Sequence, residues 1–355
     1  MKIGICGDVH WSEYSSILRQ RKEKYSLRLE NLIQSVMWYE ELADSEHCDM
    51  SVYLGDFFDK SDLSPECITA LNDVKWGATP KYFLVGNHEM GRASLEFSSA
   101  HLLNMIPRIT VIDRPGIIEL PSISLCFLPY QLPSTIGKLN DYFLPAQSEK
   151  VVFSHNDIAG ISYGPVVSRE GFDLKDLESS CKLFLNGHIH NGEKVAPNVI
   201  NVGNLTGQNF SEDAFKYEHS ALIYDTDTGA LAVYRNPYAL NFYKLDFTKN
   251  SSIEYINDIT SKVGRNAVVT VRCYDDDAYV CIRTRFDPAY GIDNGFPKHC
   301  GVLASKFIIE RVTESSVDTG EIDFSVDHLN QFRDYVLTTL GNSETVVSEL
   351  QEVCK

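Results

Sequence analysis

Five short apolar stretches of this chain each end in a turn rich in glycine, histidine and carboxylate or amide residues. The stretches are predicted to be β-strands, because they are short, apolar and bounded by turn residues. The turns are Gly7-Asp8-Val9-His10, Gly55-Asp56-Phe57-Phe58-Asp59, Gly86-Asn87-His88-Glu89, Ser154-His155-Asn156-Asp157 and Gly187-His188-Ile189-His190. They hold five of the ten histidines of the chain. In an open α/β sheet ligands bind outside the carboxyl ends of the strands, so the five turns are expected to converge on one crevice.

The first 245 or so residues alternate apolar runs with amphipathic stretches, which indicates an α/β sheet domain. The clearest helix is predicted over Ser26–Ala43, where apolar residues recur at helical spacing. Predicted strands are Ile3–Cys6, Ser51–Leu54, Tyr82–Val85, Ile123–Leu128, Val151–Phe153, Leu183–Leu185 and Ala221–Tyr224. The basic cluster Arg19, Arg21, Lys22, Lys24 and Arg28 is interpreted as a solvated helix face rather than a phosphate contact.

Beyond Asp246 the pattern changes to that of a small α+β unit. A helix is predicted over Ile253–Val263, and strands over Val268–Cys273, Tyr279–Thr284 and Phe307–Val312. Two further helices are predicted over Val326–Leu340 and Glu344–Val353. We therefore divide the chain into a domain at 1–250, a small unit at 251–320 and a helical segment at 321–355, where a partner could bind.

The residues of the turns suit two-metal chemistry on a phosphate ester. Cleavage of a diester builds charge on both the attacking and the leaving oxygen, and two nearby metal ions can stabilise both. Asp56 is the natural bridge between the ions. Asp8 and His10 are expected to face one ion through alternation along an extended chain, and His188 and His190 to be divided between the two. Ligands that are all nitrogen and oxygen favour Mn²⁺, Fe²⁺ or Zn²⁺.

Composition limits the setting of the protein. The nine cysteines include no CxxC pair, which argues against a disulfide framework or a thiolate zinc site and favours a reducing cytoplasm. No apolar run is long enough to span a membrane, and the start lacks the features of a signal peptide. The net charge is −17, from 32 Lys+Arg against 49 Asp+Glu. This charge argues against a protein that binds DNA on its own, because such binding depends on cations that neutralise phosphates.

The ordered set D-x-H, G-D, G-N-H-E, H and G-H-x-H resembles the calcineurin-like metallophosphoesterase superfamily over residues 3 to 190. The resemblance implies a two-sheet sandwich flanked by helices, followed here by the smaller α+β unit. It also implies that one metal is held by Asp8, His10, Asp56 and His190, and a second by Asp56, Asn87, His155 and His188. His88 would contact the scissile phosphate and protonate the leaving oxygen.

Within that superfamily the chain most resembles the SbcD-type nuclease subunits of repair and phage recombination complexes. The Gly55–Asp59 turn lacks the Arg-Gly ending of protein Ser/Thr phosphatases. The stretches Asn201–Leu205 and Asn209–Glu212 follow the last histidine motif, Asn236–Phe247 resembles the strand that closes the nuclease domain, and the small unit lies where that family has a DNA-capping domain. Glu89 departs from the pattern, since many nuclease members have Asp there.

This resemblance implies a Mn²⁺-dependent DNA exo- and endonuclease in the cytoplasm of a bacterial or phage-infected cell, with an SbcC-like ATPase as partner. It also suggests a homodimer formed by helices after Glu89, and the amphipathic stretch Ser94–Met105 fits that role, although its apolar residues could instead pack on their own core. The alternative function is a stand-alone phosphatase on small esters, cyclic nucleotides or phosphoproteins, which the charge would explain directly. Asp59, Asn156 and Asp157 are candidates for orienting the histidines, and His219 is assigned no role.

Overall fold

Two six-stranded mixed sheets lie face to face, and a third, smaller sheet follows them in the chain. The computed structural model describes residues 1–15, 18, 21, 23–144, 146, 148–163, 166–248, 251–273, 282–283, 286 and 302–309. All of these residues belong to one compact unit, Met1–Arg311. None of the helices in these ranges has the length and apolar character needed to cross a lipid bilayer.

The first sheet contains β1 (Lys2–Cys6), β2 (Met50–Tyr53), β3 (Lys81–Leu84), β6 (Ile109–Ile112), β15 (Ser220–Asp225) and β16 (Leu231–Arg235). Its strand order is β16-β15-β1-β2-β3-β6. β1, β2, β3 and β6 are parallel to one another, whereas β15 and β16 are antiparallel to their neighbours.

The second sheet contains β7 (Gly116–Glu119), β8 (Ile123–Leu128), β9 (Glu149–Ser154), β12 (Leu183–Asn186), β13 (Glu193–Ala196) and β14 (Val199–Asn201). Its strand order is β13-β14-β12-β9-β8-β7. β8, β9, β12 and β14 are parallel. Two short pairs complete this region, β4 (Met90–Gly91) with β5 (Ser94–Ser98) and β10 (Ser162–Tyr163) with β11 (Val166–Val167).

The main core lies between the two sheets, because alternate side chains of each strand point inward. Val52 and Leu54 of the first sheet join Leu125, Phe127 and Phe153 of the second in one buried cluster. Tyr53, which lies between Val52 and Leu54 in the chain, instead packs on the outer face of the first sheet. This alternation fixes the register of β2, since a slip of one residue would turn its apolar set to the wrong side.

Helices cover the outer faces of the sandwich. They are α1 (Leu27–Ser45), α2 (Pro65–Leu71), α3 (Leu139–Tyr142) and α4 (Leu174–Ser180), with 3₁₀ turns at Ser99–Met105 and Pro133–Thr135. α1 is capped by Ser26, whose hydroxyl accepts a hydrogen bond from the Leu29 amide at 3.1 Å. Leu29, Leu32 and Val36 of α1 are buried against the first sheet, and each such side chain contributes about 1.5–3 kcal/mol.

The third sheet is parallel and contains β17 (Asn241–Phe247), β18 (Ala267–Cys273) and β19 (Val302–Ile309), in that order. α5 (Ile253–Lys262) connects the first two of these strands. The stretch that was expected to close the first domain, up to Phe247, therefore pairs within this smaller sheet. The division at 250 and 320 remains a prediction.

The helix predicted over Ser26–Ala43 and all seven strands predicted in the first 245 residues are confirmed to within two or three residues at each end. The helix Ile253–Val263 and the strand Val268–Cys273 are also confirmed, and the strand predicted at Phe307–Val312 begins earlier, at Val302. The helices predicted at Val326–Leu340 and Glu344–Val353 lie outside the described residues.

Three expectations are corrected. The strand Tyr279–Thr284 is wrong where it is described, since Ile282 and Arg283 are helical, and Ile282 and Phe286 are buried at a helical spacing of four. Ser94–Met105 is not one helix but β5 followed by a 3₁₀ turn, with Leu103 buried in the core. Arg28 does not lie on a solvated face, because its side chain is only 2% exposed.

Candidate metal centre

The five polar turns follow strands that are neighbours in the two sheets. β1, β2 and β3 are adjacent and parallel in the first sheet, and β9 and β12 are adjacent and parallel in the second. Each turn therefore leaves its sheet at the same edge, where the carboxyl ends of parallel strands meet. Asp8, Asp56 and His155 are fully or almost fully buried there, whereas the side chain of His88 is 41% exposed.

Three of the turn residues have a left-handed backbone. The φ angles are +51° at His10, +44° at Asp56 and +70° at His188. Residues with a side chain seldom adopt this region, and such strain is concentrated at functional sites. The expected extended alternation at Asp8-Val9-His10 is therefore wrong, since the amides of Val9 and His10 both bond to the Asp56 carbonyl, at 3.1 and 2.9 Å. Both side chains nevertheless face the same space.

Two turn glycines allow the turns to approach one another closely. A Cβ atom on Gly86 would lie 2.1 Å from Oδ1 of Asp56, and one on Gly55 would lie 2.4 Å from Nδ1 of His155. Gly55 also has a φ of +106°, which favours glycine. The glycines that begin these motifs are thus required by the proximity of Asp56 and His155.

Asp8, His10 and His190 form the first donor cluster. The Nε2 atoms of His10 and His190 are 3.1 Å apart, and Nε2 of His10 is 3.8 Å from Oδ2 of Asp8. Asp56 approaches the same cluster, since it forms a further potential ligand group with His10 and His88. This cluster unites turns from β1, β2 and β12.

Asp56, Asn87, His155 and His188 form the second donor cluster. Nε2 of His155 is 3.1 Å from Oδ2 of Asp56 and 3.2 Å from Oδ1 of Asn87. Nδ1 of His188 is 3.0 Å from the same Asn87 oxygen. His188 and His190 thus belong to different clusters, and Asp56 touches both.

The two clusters fit divalent metal ions. Oδ2 of Asp8 is buried and has no hydrogen-bond partner among the described residues, which is costly unless a cation binds it. Two ligands that are each about 2.0–2.2 Å from one ion lie about 3.0–3.5 Å apart. This matches the separations of 3.0–3.2 Å in the second cluster and the 3.1 Å between His10 and His190, whereas Asp8 and His10 lie further apart, at 3.8 Å. The donors are nitrogen and oxygen, a set that suits Mn²⁺, Fe²⁺ or Zn²⁺.

Electrostatics reinforces this arrangement. Burial opposes charge on Asp56, but the neighbouring imidazoles, above all His155, hold its pKa well below the ordinary value. Burial also opposes charge on His155, but Asp56 and Asp8 raise its pKa to about 9. The site therefore favours positive charge beside its carboxylates, and a metal ion can supply that charge in place of a proton.

Glu89 has a structural position, although it follows His88 directly. It is buried, and its carboxylate accepts hydrogen bonds from the Gly86 amide at 2.7 Å and the Phe58 amide at 3.0 Å. Burial and the charge of Asp56 raise its pKa to about 8. Glu89 thus links the turn after β3 to the turn after β2.

Two further carboxylates contact histidines of the clusters, each at the ring nitrogen that does not face the other donors. Oδ1 of Asp59 is 3.2 Å from Nδ1 of His10, and Oδ1 of Asp157 is 3.3 Å from Nε2 of His188. Asn156 instead holds the backbone of the second sheet through bonds to Gln131, Asn186 and three further oxygens. Asp59 and Asp157 are placed to orient histidines, as carboxylates commonly do at metal sites.

Sequence reasoning missed three further residues around the cluster histidines. They are Glu212, His219 and Gln208. Oε1 of Glu212 is 3.4 Å from Nδ1 of His190, and its Oε2 is 3.7 Å from Nε2 of His219. Gln208 donates to Asp59 at 2.9 Å. The acidic turn that ends at Glu212 is visible in the sequence, but only the fold brings it to His190.

The chain belongs to the calcineurin-like phosphoesterase family. The family model matches residues 1–192, which is more than half of the 355 residues. The match includes all five polar turns. It ends shortly after His190, so the third sheet lies outside it.

Two viral proteins are similar in sequence to this chain. "Putative phosphoesterase 244L" of Invertebrate iridescent virus 6 is 24% identical over 192 residues, or 52% of this chain and 62% of that protein. "Putative phosphoesterase 078R" of Invertebrate iridescent virus 3 is 24% identical over 182 residues, or 48% of this chain and 51% of that protein. The matched region thus spans less than two thirds of either relative.

Among solved structures, a dimetal phosphatase from Danio rerio is 15% identical, with a TM-score of 0.38 over 63% of this chain and 91% of that one. The protein TT1561 of Thermus thermophilus is 12% identical, with a TM-score of 0.39 over 66% of this chain and 98% of that one. Scores this low carry no inference about function.

Proposed function

We propose that this protein is a two-metal phosphodiesterase and that its substrate is DNA. The observation that carries the proposal is the pair of donor clusters that share Asp56, with the half-exposed His88 beside them. Asp8, His10, Asp56 and His190 would hold one ion, and Asp56, Asn87, His155 and His188 the other. Such ions stabilise the negative charge that builds on the attacking and leaving oxygens of a phosphate ester.

His88 is the proposed general acid. Its Nδ1 donates a hydrogen bond to the Asp59 carbonyl at 3.0 Å, and its backbone amide donates to Oδ1 of Asp56 at 2.9 Å. The ring packs edge-on against His10, with 4.8 Å between centroids. These contacts fix the imidazole and occupy Nδ1, so Nε2 remains to hold a proton and give it to the leaving oxygen.

A cavity that begins beside the last histidine motif in the chain supports a substrate larger than a simple phosphate ester. This cavity of about 700 Å³ is lined by Asn191, Ser211, Lys216, Tyr217 and Lys244, and also by the carboxylates Glu193 and Asp213, the second of which pairs with Lys216 at 3.3 Å. Asn191 follows His190 in the chain, and Lys244 lies on β17 of the third sheet. Lysine, amide, hydroxyl and aromatic side chains are groups that contact phosphates and unpaired bases.

The charge of −17 favours a partner that supplies DNA affinity. A protein whose acidic residues outnumber its basic ones by 17 gains little from releasing counterions of the duplex. We therefore propose an SbcC-like ATPase as the partner and Mn²⁺ as the physiological ion, in a cytoplasmic complex for repair or phage recombination. The placement of a small α+β unit after the phosphoesterase region supports this nuclease assignment.

A homodimer is also part of the proposal, and the exposed apolar side chains of Ser94–Met105 would form it. Leu103 is buried in the protein's own core, and Leu102 packs against that core. Met105 is 81% exposed and Phe97 58% exposed, so these side chains remain available for a second copy. Light scattering at micromolar concentration that shows only monomers would contradict the dimer.

A stand-alone phosphatase for small esters is the second candidate, because it explains the acidic charge without a partner. It predicts that a small chromogenic diester or monoester is cleaved faster than any DNA.

The deciding experiment compares Mn²⁺-dependent cleavage of single-stranded DNA, duplex DNA and a small chromogenic diester, with and without proteins that co-purify. The nuclease proposal predicts that an ATPase is recovered and that duplex digestion becomes stronger and ATP-dependent with it. If the isolated protein cleaves DNA no better than a generic phosphatase and no ATPase is recovered, the small-ester function replaces it.

A further inference from the structure

Arg28 lies in the first turn of α1, and its side chain is 2% exposed. Its guanidinium donates a hydrogen bond to the carbonyl of Gly207, in the loop that precedes Glu212. A buried guanidinium is rare in proteins unless opposite charge compensates for its lost hydration. The surroundings of Arg28 should therefore contain that charge.

The compensating charges are those of Glu212 and Asp59. Burial lowers the pKa of Arg28 to about 10, and these two carboxylates oppose that effect. Glu212 is itself 2% exposed, so solvent screens it little. Among the described residues Arg28 makes no ion pair with either carboxylate. Its direct contact is the Gly207 carbonyl, and it serves as a counter-ion to Glu212 and Asp59 at longer range.

The same two carboxylates contact the outer nitrogens of His10 and His190, the histidines of the first donor cluster. Asp59 approaches Nδ1 of His10 at 3.2 Å, and Glu212 approaches Nδ1 of His190 at 3.4 Å. Gln208 contacts both carboxylates. Its side chain donates a hydrogen bond to Asp59 at 2.9 Å, and its backbone amide donates one to Glu212 at 3.1 Å. Gln208 directly follows Gly207, whose carbonyl Arg28 binds. The short loop at these two residues therefore connects Arg28 to both Asp59 and Glu212.

We propose that Arg28 is a positioning residue for the first donor cluster, and that its charge holds Asp59 and Glu212 where they orient His10 and His190. The inference rests on the proposed metal centre but not on the substrate. Without the guanidinium, two poorly solvated carboxylates would repel each other and the nearby Asp8 and Asp56. The second cluster is oriented by Asp157 and by the Leu54 carbonyl, which lies 2.7 Å from Nδ1 of His155. It should therefore depend little on Arg28.

The alternative is that Arg28 only ties α1 to the Gly207 carbonyl. Two substitutions separate these roles. Arg28→Gln can still donate to the carbonyl but has no charge, whereas Arg28→Lys keeps both the charge and a donor. Lys24→Met is the matched control, because Lys24 is an exposed basic residue near the start of the same helix, paired with Asp73 at 2.6 Å.

The readout is Mn²⁺ affinity of the metal-free full-length chain, measured by calorimetry. Each substitution is tested in an Asn87→Ala background, which leaves the first cluster intact, and in an Asp8→Asn background, which leaves the second. We expect Arg28→Gln to weaken binding at the first cluster about 10- to 100-fold, the usual size of losing an outer partner of a metal ligand. Arg28→Lys should weaken it much less, and binding at the second cluster should change less than about threefold.

Equal effects of Arg28→Gln and Arg28→Lys, equal losses at both clusters, or no loss would overturn the positioning role. If Arg28→Gln does not fold by circular dichroism, Glu212→Gln provides the second test. Removing the carboxylate should then restore folding in the double variant Arg28→Gln/Glu212→Gln, and a double variant that also fails to fold contradicts the counter-ion role. Metal binding by the unaltered chain without diester cleavage would instead refute the proposed function and leave this inference standing.

Discussion

Replacing His88 by Asn separates the chemical step from metal binding and folding. The His88 side chain is 41% exposed, and among the described residues its ring makes one hydrogen bond, to the Asp59 carbonyl. Loss of that bond should lower the free energy of unfolding by only about 0.5–1.5 kcal/mol. Loss of a general acid lowers kcat about 10²- to 10⁴-fold, which corresponds to about 2.7–5.4 kcal/mol in the activation barrier. The expected catalytic effect therefore exceeds the expected stability effect.

The assay measures single-turnover hydrolysis at saturating Mn²⁺ on two substrates. DNA has an alkoxide leaving group that needs a proton, whereas a nitrophenyl diester has one that does not. His88→Asn should therefore lose far more rate on DNA than on the nitrophenyl diester. His101→Asn is the matched control, since His101 is a half-buried histidine that contacts the Leu95 carbonyl at 3.3 Å, away from both clusters.

Metal content and melting temperature are measured on the same His88→Asn samples. Both should stay near those of the unaltered protein. An unchanged kcat on DNA would remove His88 from the mechanism. Equal losses on the two substrates would show that it does not act as a proton donor, and loss of metal would make it a ligand instead.

Two further predictions concern the scaffold that holds the site. Lys81→Met should lower the free energy of unfolding by about 3–5 kcal/mol in denaturant titrations, because it leaves the buried Glu40, which pairs with Lys81 at 2.9 Å, without its partner. Adding Glu40→Leu should recover part of that loss of stability. A loss under about 1 kcal/mol for Lys81→Met would argue against the buried pair. Gly7→Ala should prevent stable folding, because its Cβ would lie 1.8 Å from the Gly203 carbonyl oxygen, whereas Gly116→Ala, with its nearest atom at 4.0 Å, should melt like the unaltered protein. A Gly7→Ala protein that melts normally would contradict the packing of these turns.

The location of the site was predictable because it depends on local pattern. Apolar runs such as Ile123–Leu128 identify strands, and the polar residues that follow parallel strands must meet at one edge. The sequence therefore predicted which turns come together and that Asp56 lies between them. It could not predict the left-handed backbone of His10 and Asp56, because that conformation is imposed by contacts between turns.

Residues whose roles depend on distant partners were not predictable. Arg28 is 184 positions before Glu212 and lies in a basic stretch that is typical of a solvated helix, yet the fold buries it near that carboxylate. His219 has no neighbouring motif and becomes meaningful only because Glu212 lies between it and His190. The strand expected at Tyr279–Thr284 failed for a related reason, since alternating Arg and apolar residues also fit a helix with Ile282 and Phe286 on its buried face.

The central claim is that two ions share Asp56, and metal stoichiometry tests it most directly. The metal-free protein is titrated with Mn²⁺, and bound ions per chain are counted by mass spectrometry after removal of excess metal, for the unaltered chain and for Asp56→Asn. Two ions should bind per unaltered chain, and Asp56→Asn should lose both ions or nearly all turnover. EDTA should abolish activity, and Mn²⁺ should restore it best. A fully active chain that holds one ion at saturation would contradict it.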